Sequence, residues 1–415
     1  MARLSAVFGS ASRNGPWAAM RHAALALGAV LWLGACTPAT VPDGPSATQG
    51  PGASGIALGP LQSAQTDRFG RPVADDVIRV GLLLPLSGRG SDIGPAMRNA
   101  AEMALFDAGV ENFELLPRDT GGTAEGAAAA AQSALVDGAR LIIGPLFADD
   151  VPAVRSVAES AGVNVISFTS DRTMAGGNVL VMGFLPSSQV ERVVDYAVQR
   201  GMTRYAVLAP ETAYGRIVAD ALQGATRERG AQLTGVQFFD PNAPDYSEAV
   251  RAIASGGASY DAIMLPEGGL RLRAIAPLLP FYELQDVQVL GTGLWDEPDI
   301  GREPALVGGW FASPQPELRA DFERRYQENF GAAPPRLATL AYDAVALAAV
   351  LARSPFGSTY DWPVLTDPSG FIGLDGVFRF EPTGEVQRGL AVLEVTPQGP
   401  VVVDPAPQTF VGQVF

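Results

Sequence analysis

The chain has no lysine, one histidine and one cysteine. These scarcities close off imine chemistry through a side-chain amine and leave little for imidazole, thiolate or His/Cys metal mechanisms. His22 and Cys36 both lie near the N-terminus, outside the part of the sequence that carries folded patterning. A bilayer-spanning run is missing as well. The apolar stretch 23–35 is short for a membrane helix, and no later segment approaches one. Positive charge is scarce too: arginine alone supplies 29 cations against 44 acids, for a net charge of −15. The arginines are scattered rather than clustered, so a nucleic-acid surface is not expected. The acidity also argues against electrostatic adhesion to anionic lipid.

What is present starts at the N-terminus. Arg3, Arg13 and Arg21 precede an apolar core that ends in Leu33-Gly34-Ala35-Cys36. A basic start, a hydrophobic core and small residues before a cysteine form a bacterial lipoprotein cleavage box. Residues 1–35 are then a signal peptide, or a shorter one starting at Met20, and Cys36 is a lipid anchor rather than a nucleophile. The alternative is a cleaved leader whose cysteine stays free. Cleavage would also remove His22, leaving a mature chain without imidazole or side-chain amine. Thr37, not Asp, follows the cysteine. By resemblance to bacterial lipoproteins without the retention signal, this implies the outer membrane, facing the periplasm of a Gram-negative bacterium.

Residues 37 to about 65 are rich in Pro, Gly, Ser, Ala and Thr, a flexible coil with a reach of about 30 Å, and 36–76 read as a lipidated cysteine and disordered tether. From Val77 the pattern alternates short apolar runs with helical spacing. Ile78–Leu84, Phe113–Leu116, Leu141–Ile143 and Val163–Ile166 read as strands, separated by helices that close at Gly109 and Gly138. A second series follows near Ser187, with strands at Tyr205–Leu208, Leu233–Phe239, Ala262–Leu265 and Val287–Leu290. The last hundred residues hold helices over Pro316–Asn329 and Leu337–Ala352, then hairpin-like strands around Gly376–Phe380 and Leu390–Val395. The expected fold is α/β, with two Rossmann-like lobes built on parallel sheets.

Loops at the carboxyl ends of strands are where such sheets bind ligands. Pro85-Leu86-Ser87-Gly88-Arg89-Gly90 contains a Gly-x-Gly, but the later spacing departs from a dinucleotide fingerprint. Ser87, Gly88 and nearby amides are expected either to meet a polar or anionic ligand group or only to turn the chain and cap a helix. In Leu146-Phe147-Ala148-Asp149-Asp150, helix capping explains the adjacent acids better than an acid/base pair. Thr169 and Ser170 offer hydroxyls for a cleft wall, without a base to activate them. Across the second lobe, Glu211, Tyr214, Glu267, Thr292 and Trp295 sit at facing strand ends. Trp295 is expected either to cover a ligand or to close the lobe interface. Carboxylate-only chemistry stays formally open, yet no spacing identifies a pair. No enzymatic activity, cofactor or metal is expected.

Gly81–Gly88, Leu141–Leu146, Val163–Asp171 and Ala341-Tyr342-Asp343-Ala344, in this order, resemble the type 1 periplasmic-binding fold of the leucine/isoleucine/valine-binding group. That resemblance implies lobes of 77–184 plus 305–353 and 185–304 plus 354–415, joined by a three-crossover hinge. It also implies a small-molecule ligand between the lobes and an ABC permease as partner. Members that bind amino acids have hydroxyl residues after the third strand and an acid after the strand ending at Leu290. Here those places hold Phe147-Ala148 and Gly291-Thr292-Gly293, with Glu267 as a replacement acid. Val207-Leu208-Ala209-Pro210 and Ile275–Tyr282 resemble the penicillin-binding-protein activator branch most closely. Its members are lipoproteins that stimulate peptidoglycan synthases, which makes such a synthase the expected partner. Import of an amino acid through an ABC transporter is the alternative.

Overall fold

Short apolar runs that stop at turn residues become buried parallel strands, and they do so twice in this chain. The computed structural model describes residues 77–255, 259–353 and 360–410. Cys36 and the tether lie outside the described residues. In the first lobe, β1 (Ile78–Leu84) is buried along its length except at Arg79, which reaches Glu114 at 2.8 Å on the neighbouring strand. α1 (Gly94–Ala108), β2 (Phe113–Asp119), α2 (Ala124–Val136), β3 (Ala139–Ile143), α3 (Val151–Ser160), β4 (Asn164–Ser167) and β5 (Val179–Val181) follow. The sheet is parallel, in the order β2-β1-β3-β4-β5. Alanine dominates α2, so its small buried face can pack closely against Gly81 of β1.

The second lobe comprises α4 (Pro186–Gln199), β6 (Arg204–Pro210), α5 (Ala213–Glu228), β7 (Gln232–Phe239), α6 (Ser247–Ala254), β8 (Ala262–Met264), α7 (Gly269–Ile275), α8 (Leu278–Phe281), β9 (Gln288–Gly291) and β10 (Trp310–Ser313). Next come α9 (Pro316–Phe330), α10 (Ala338–Ala352), α11 (Trp362–Leu365), β11 (Phe371–Gly373), β12 (Gly376–Phe380), β13 (Val386–Arg388), β14 (Ala391–Thr396) and β15 (Gly399–Asp404). The second sheet runs β15-β14-β10-β9-β8-β6-β7; its strands are parallel from β7 to β10, and β14 and β15 are antiparallel.

The chain passes between the lobes three times: from β5 to α4, from β10 to α9, and from β13 to β14. The lobe boundaries differ from the sequence expectation in two places. Residues 305–313 join the second lobe, because β10 pairs with β9 and β14. Residues 360–388 join the first, because Leu365, Phe378, Phe380 and Val386 share a core with Val80 and Leu82. Tyr360 fixes this segment by donating to the Ala348 carbonyl at 2.8 Å. The expected hairpin is also corrected. β12 pairs with β11 and β13 in a small third sheet, whereas β14 crosses to the second lobe.

Buried charges cluster beside the crossovers. Asp296, after β9, accepts from Arg319 at 2.8 Å, Ser313 at 2.8 Å and Arg336 at 3.3 Å. Arg336 also donates to Asp375, which accepts from Thr339 as well, at 2.7 Å. Burial alone would raise Asp375, but Arg336 and Arg388 outweigh it and hold the carboxylate ionised. Asp343 keeps one oxygen without a partner among the described residues, and burial, reinforced by Asp375, pushes it up to about 7.

Candidate functional site

The carboxyl ends of β1, β3 and β4 line the first-lobe side. The β1 loop is clamped by Asp119, at the end of β2. One Asp119 oxygen accepts from the amides of Leu86, Ser87 and Gly121, and the other from the Ser87 hydroxyl at 2.6 Å. Burial raises Asp119, yet these donors outweigh it and hold its carboxyl below the usual range. The Ser87 hydroxyl therefore shapes the loop. Gly88 sits at φ 66° against the Gly121 carbonyl, a place where any side chain would collide. Asp119 was not anticipated; its only signal is its position at a strand end.

After β3, Leu146 turns into the first core. Phe147 is half-buried beneath the Arg89 guanidinium, 4.0 Å from the ring centroid. Ala148 opens a single helical turn, Ala148–Asp150. Both acids do sit at a helix start, with Asp150 at the N-cap of α3, but the Asp150 side chain caps no amide. Asp149 lies 3.6 Å from Arg89, while Asp150 is buried with one oxygen unpartnered among the described residues. Burial raises Asp150, with Arg89 opposing. Beyond β4, Thr169 is buried and accepts from the Asp171 amide at 3.1 Å, so it braces the loop. Ser170 is exposed.

On the second lobe, Tyr214 follows the Thr212 cap of α5 and shares a 2.7 Å hydrogen bond with Thr292. Burial pushes its hydroxyl up to about 12, which keeps it protonated. Glu267 is buried and held by Arg271 at 2.9 and 3.2 Å. A carboxylate occupied by a two-point guanidinium pair is not a free handle for a ligand amine. Trp295 is fully buried in the second core against Gly291 and Phe311. Its ring is thus core, not cleft wall.

A cavity of about 550 Å³ lies between the lobes. Ser170, Asp171, Arg172 and Thr173 of the first lobe face Pro186, Ser187 and Glu191 of α4 and residues Ile217 to Glu228 of α5. Ser170 is the one expected site residue on its wall. Sequence reasoning missed the α4 and α5 residues because they lie on helix flanks rather than at strand ends. A larger cavity, about 650 Å³, is built by the second lobe alone, around Leu279, Leu284, Val287 and Gly308. It sits by the start of β9, within one lobe.

Two lobes, three crossovers and an interlobe cavity define an architecture that can be compared with known proteins. Residues 77–399 match the family described as periplasmic binding protein. The chain belongs to that family. The Leu/Ile/Val-binding protein BraC3 of Rhizobium johnstonii is 27% identical over 220 residues, covering 50% of this chain and 60% of the relative. An uncharacterised protein of Rickettsia prowazekii is 21% identical over 178 residues, 43% of this chain and 47% of the relative. The chain thus spans roughly half to three-fifths of the length of these curated relatives. Among solved structures, a putative branched-chain amino acid ABC transporter protein from Rhodospirillum rubrum superposes with a TM-score of 0.69 at 21% identity, covering 79% of this chain and 100% of that one. As a periplasmic binding protein, the chain has the type 1 fold and works outside the cytoplasm.

Proposed function

We propose that this protein is a solute-binding receptor that closes its two lobes around a small molecule and presents it to an ABC permease. The cavity between the first-lobe loop and the second-lobe helices carries this reading, because its volume lies in the range of ligand sites. The three crossovers supply strands about which such lobes bend. Relatives named for Leu, Ile and Val binding favour the receptor over a regulator of peptidoglycan synthesis, which takes second place. Acylation of Cys36 would tether the receptor to a membrane, and its side chains would grip rather than react. An α-amino acid is not matched by the usual handles, since Phe147 and Ala148 carry no hydroxyl and Glu267 is paired with Arg271.

The test is calorimetric titration of the full chain with amino acids, amines and carboxylates, alongside Gly224→Leu. Gly224 lines the cavity and a β-carbon there would meet no atom within 4 Å, so the site admits a side chain. Saturable binding by the wild type and its loss in this variant is the expected result. Binding of no solute, together with altered peptidoglycan synthesis on deletion, would instead support the regulator.

A further inference from the structure

The walls of the interlobe cavity are rich in carboxylates. Asp171, Glu191, Asp220 and Glu228 line it, with Arg172 as the only cation on the wall. Arg172 is already engaged, 2.7 Å from Glu385. Asp171 caps its own turn by accepting from Thr173, and Glu228 lies 3.6 Å from Arg229. Glu191 and Asp220 are different: among the described residues neither forms an ion pair nor accepts a hydrogen bond. A second observation is independent of charge. Ser187 is 5% exposed, lines the same cavity, and its hydroxyl has no hydrogen-bond partner among the described residues.

We propose that this cavity takes a small organic cation, an alkylammonium or guanidinium compound, whose charge meets Glu191 and Asp220 and whose N–H groups reach the Ser187 hydroxyl. The assignment rests on the receptor reading and narrows its solute class. An anionic solute, or one without hydrogen-bond donors, would displace water from half-buried Glu191 without replacing it, which is unfavourable. An ammonium or guanidinium group replaces it with charge-assisted hydrogen bonds. The chain has no lysine to fill that role internally. A metal ion fits less well, since among the described residues no three acidic, His or Cys side chains converge on one point. Half-burial also raises Glu191 above the ordinary range, with Arg172 and Arg229 opposing at longer distance. A bound cation would reverse that shift.

The experiment titrates the full-length protein with putrescine and with agmatine, using leucine and succinate as neutral and anionic controls. At least one cation is expected to bind saturably. Its affinity should fall about tenfold or more in Glu191→Gln/Asp220→Asn, as a lost charge-assisted bond implies, and severalfold in Ser187→Ala. The unliganded melting temperature should hold in both variants, which excludes misfolding as the cause. Leucine or succinate binding that survives both acid substitutions would overturn the cation assignment and leave the receptor standing. Cation binding indifferent to those substitutions would overturn it as well. No saturable response to any solute would overturn both.

Discussion

Two acidic regions lie between the lobes, and they are built on opposite principles. At the crossovers, Asp296 and Asp375 are each met by arginine and hydroxyl donors. In the cavity, Glu191 and Asp220 face open space with no such donors among the described residues. Buried carboxylates that hold a fold together need their partners inside the chain, because an unpaired buried charge is costly. Carboxylates that stay near water and unpaired are available to a partner from solution. The contrast separates scaffold from site without reference to any relative.

The largest effect is expected at the crossovers. Asp296→Ala takes one carboxylate from Arg319, 6% exposed, and from Arg336, which keep Glu323 and Asp375. A loss of about 3–5 kcal/mol is expected from breaking such a pair, measurable by guanidinium denaturation. A loss below about 1 kcal/mol would erase the distinction. Trp295→Ala should cost a similar 3–5 kcal/mol as a core truncation. Titration of a lobe-closing solute should then show an affinity little changed, whereas a cleft role predicts loss of binding at unchanged stability.

Asp343 sharpens the comparison through pH. Its folded carboxyl is raised to about 7, against about 3.9 in an unfolded chain. The folded state therefore holds the proton more tightly between these values. Its contribution is full below about pH 4 and declines as pH rises toward 7. Asp375, Arg388 and Arg336 surround it, so the test is the difference between wild type and Asp343→Asn. Denaturation at pH 5 and pH 8 should show the variant gaining on the wild type at the higher pH. An unchanged difference would place Asp343 outside the buried network. The smallest stability effect belongs to the cavity: Glu191→Gln/Asp220→Asn should shift stability by no more than about 0.5 kcal/mol in denaturant titration.

Much of the fold was legible along the chain. β1, α2, β3 and α10 announce themselves through buried runs and alanine periodicity, which local sequence controls directly. β5 and β10 did not, because three or four residues carry no periodicity and are strands only through their neighbours. Site reading fared unevenly for a related reason. Strand-end loops are recognisable, so Ser87, Phe147, Thr169, Ser170, Tyr214 and Glu267 could be named as loop positions from the sequence. Whether each side chain points outward or binds its own scaffold depends on residues far away in sequence. Ser87 is claimed by Asp119, Glu267 by Arg271 and Trp295 by the second core.

By itself, then, the sequence determined the alternation of strand and helix, the absence of amine and imidazole chemistry from the folded region, and the acidic character of the whole. Those properties follow from residue type and spacing alone. Tertiary structure decided which acids are satisfied and which are free, and which lobe receives residues 305–313 and 360–388. It also set the helix flanks that enclose the interlobe cavity. Each of those depends on pairing across distant segments, which composition and periodicity do not encode.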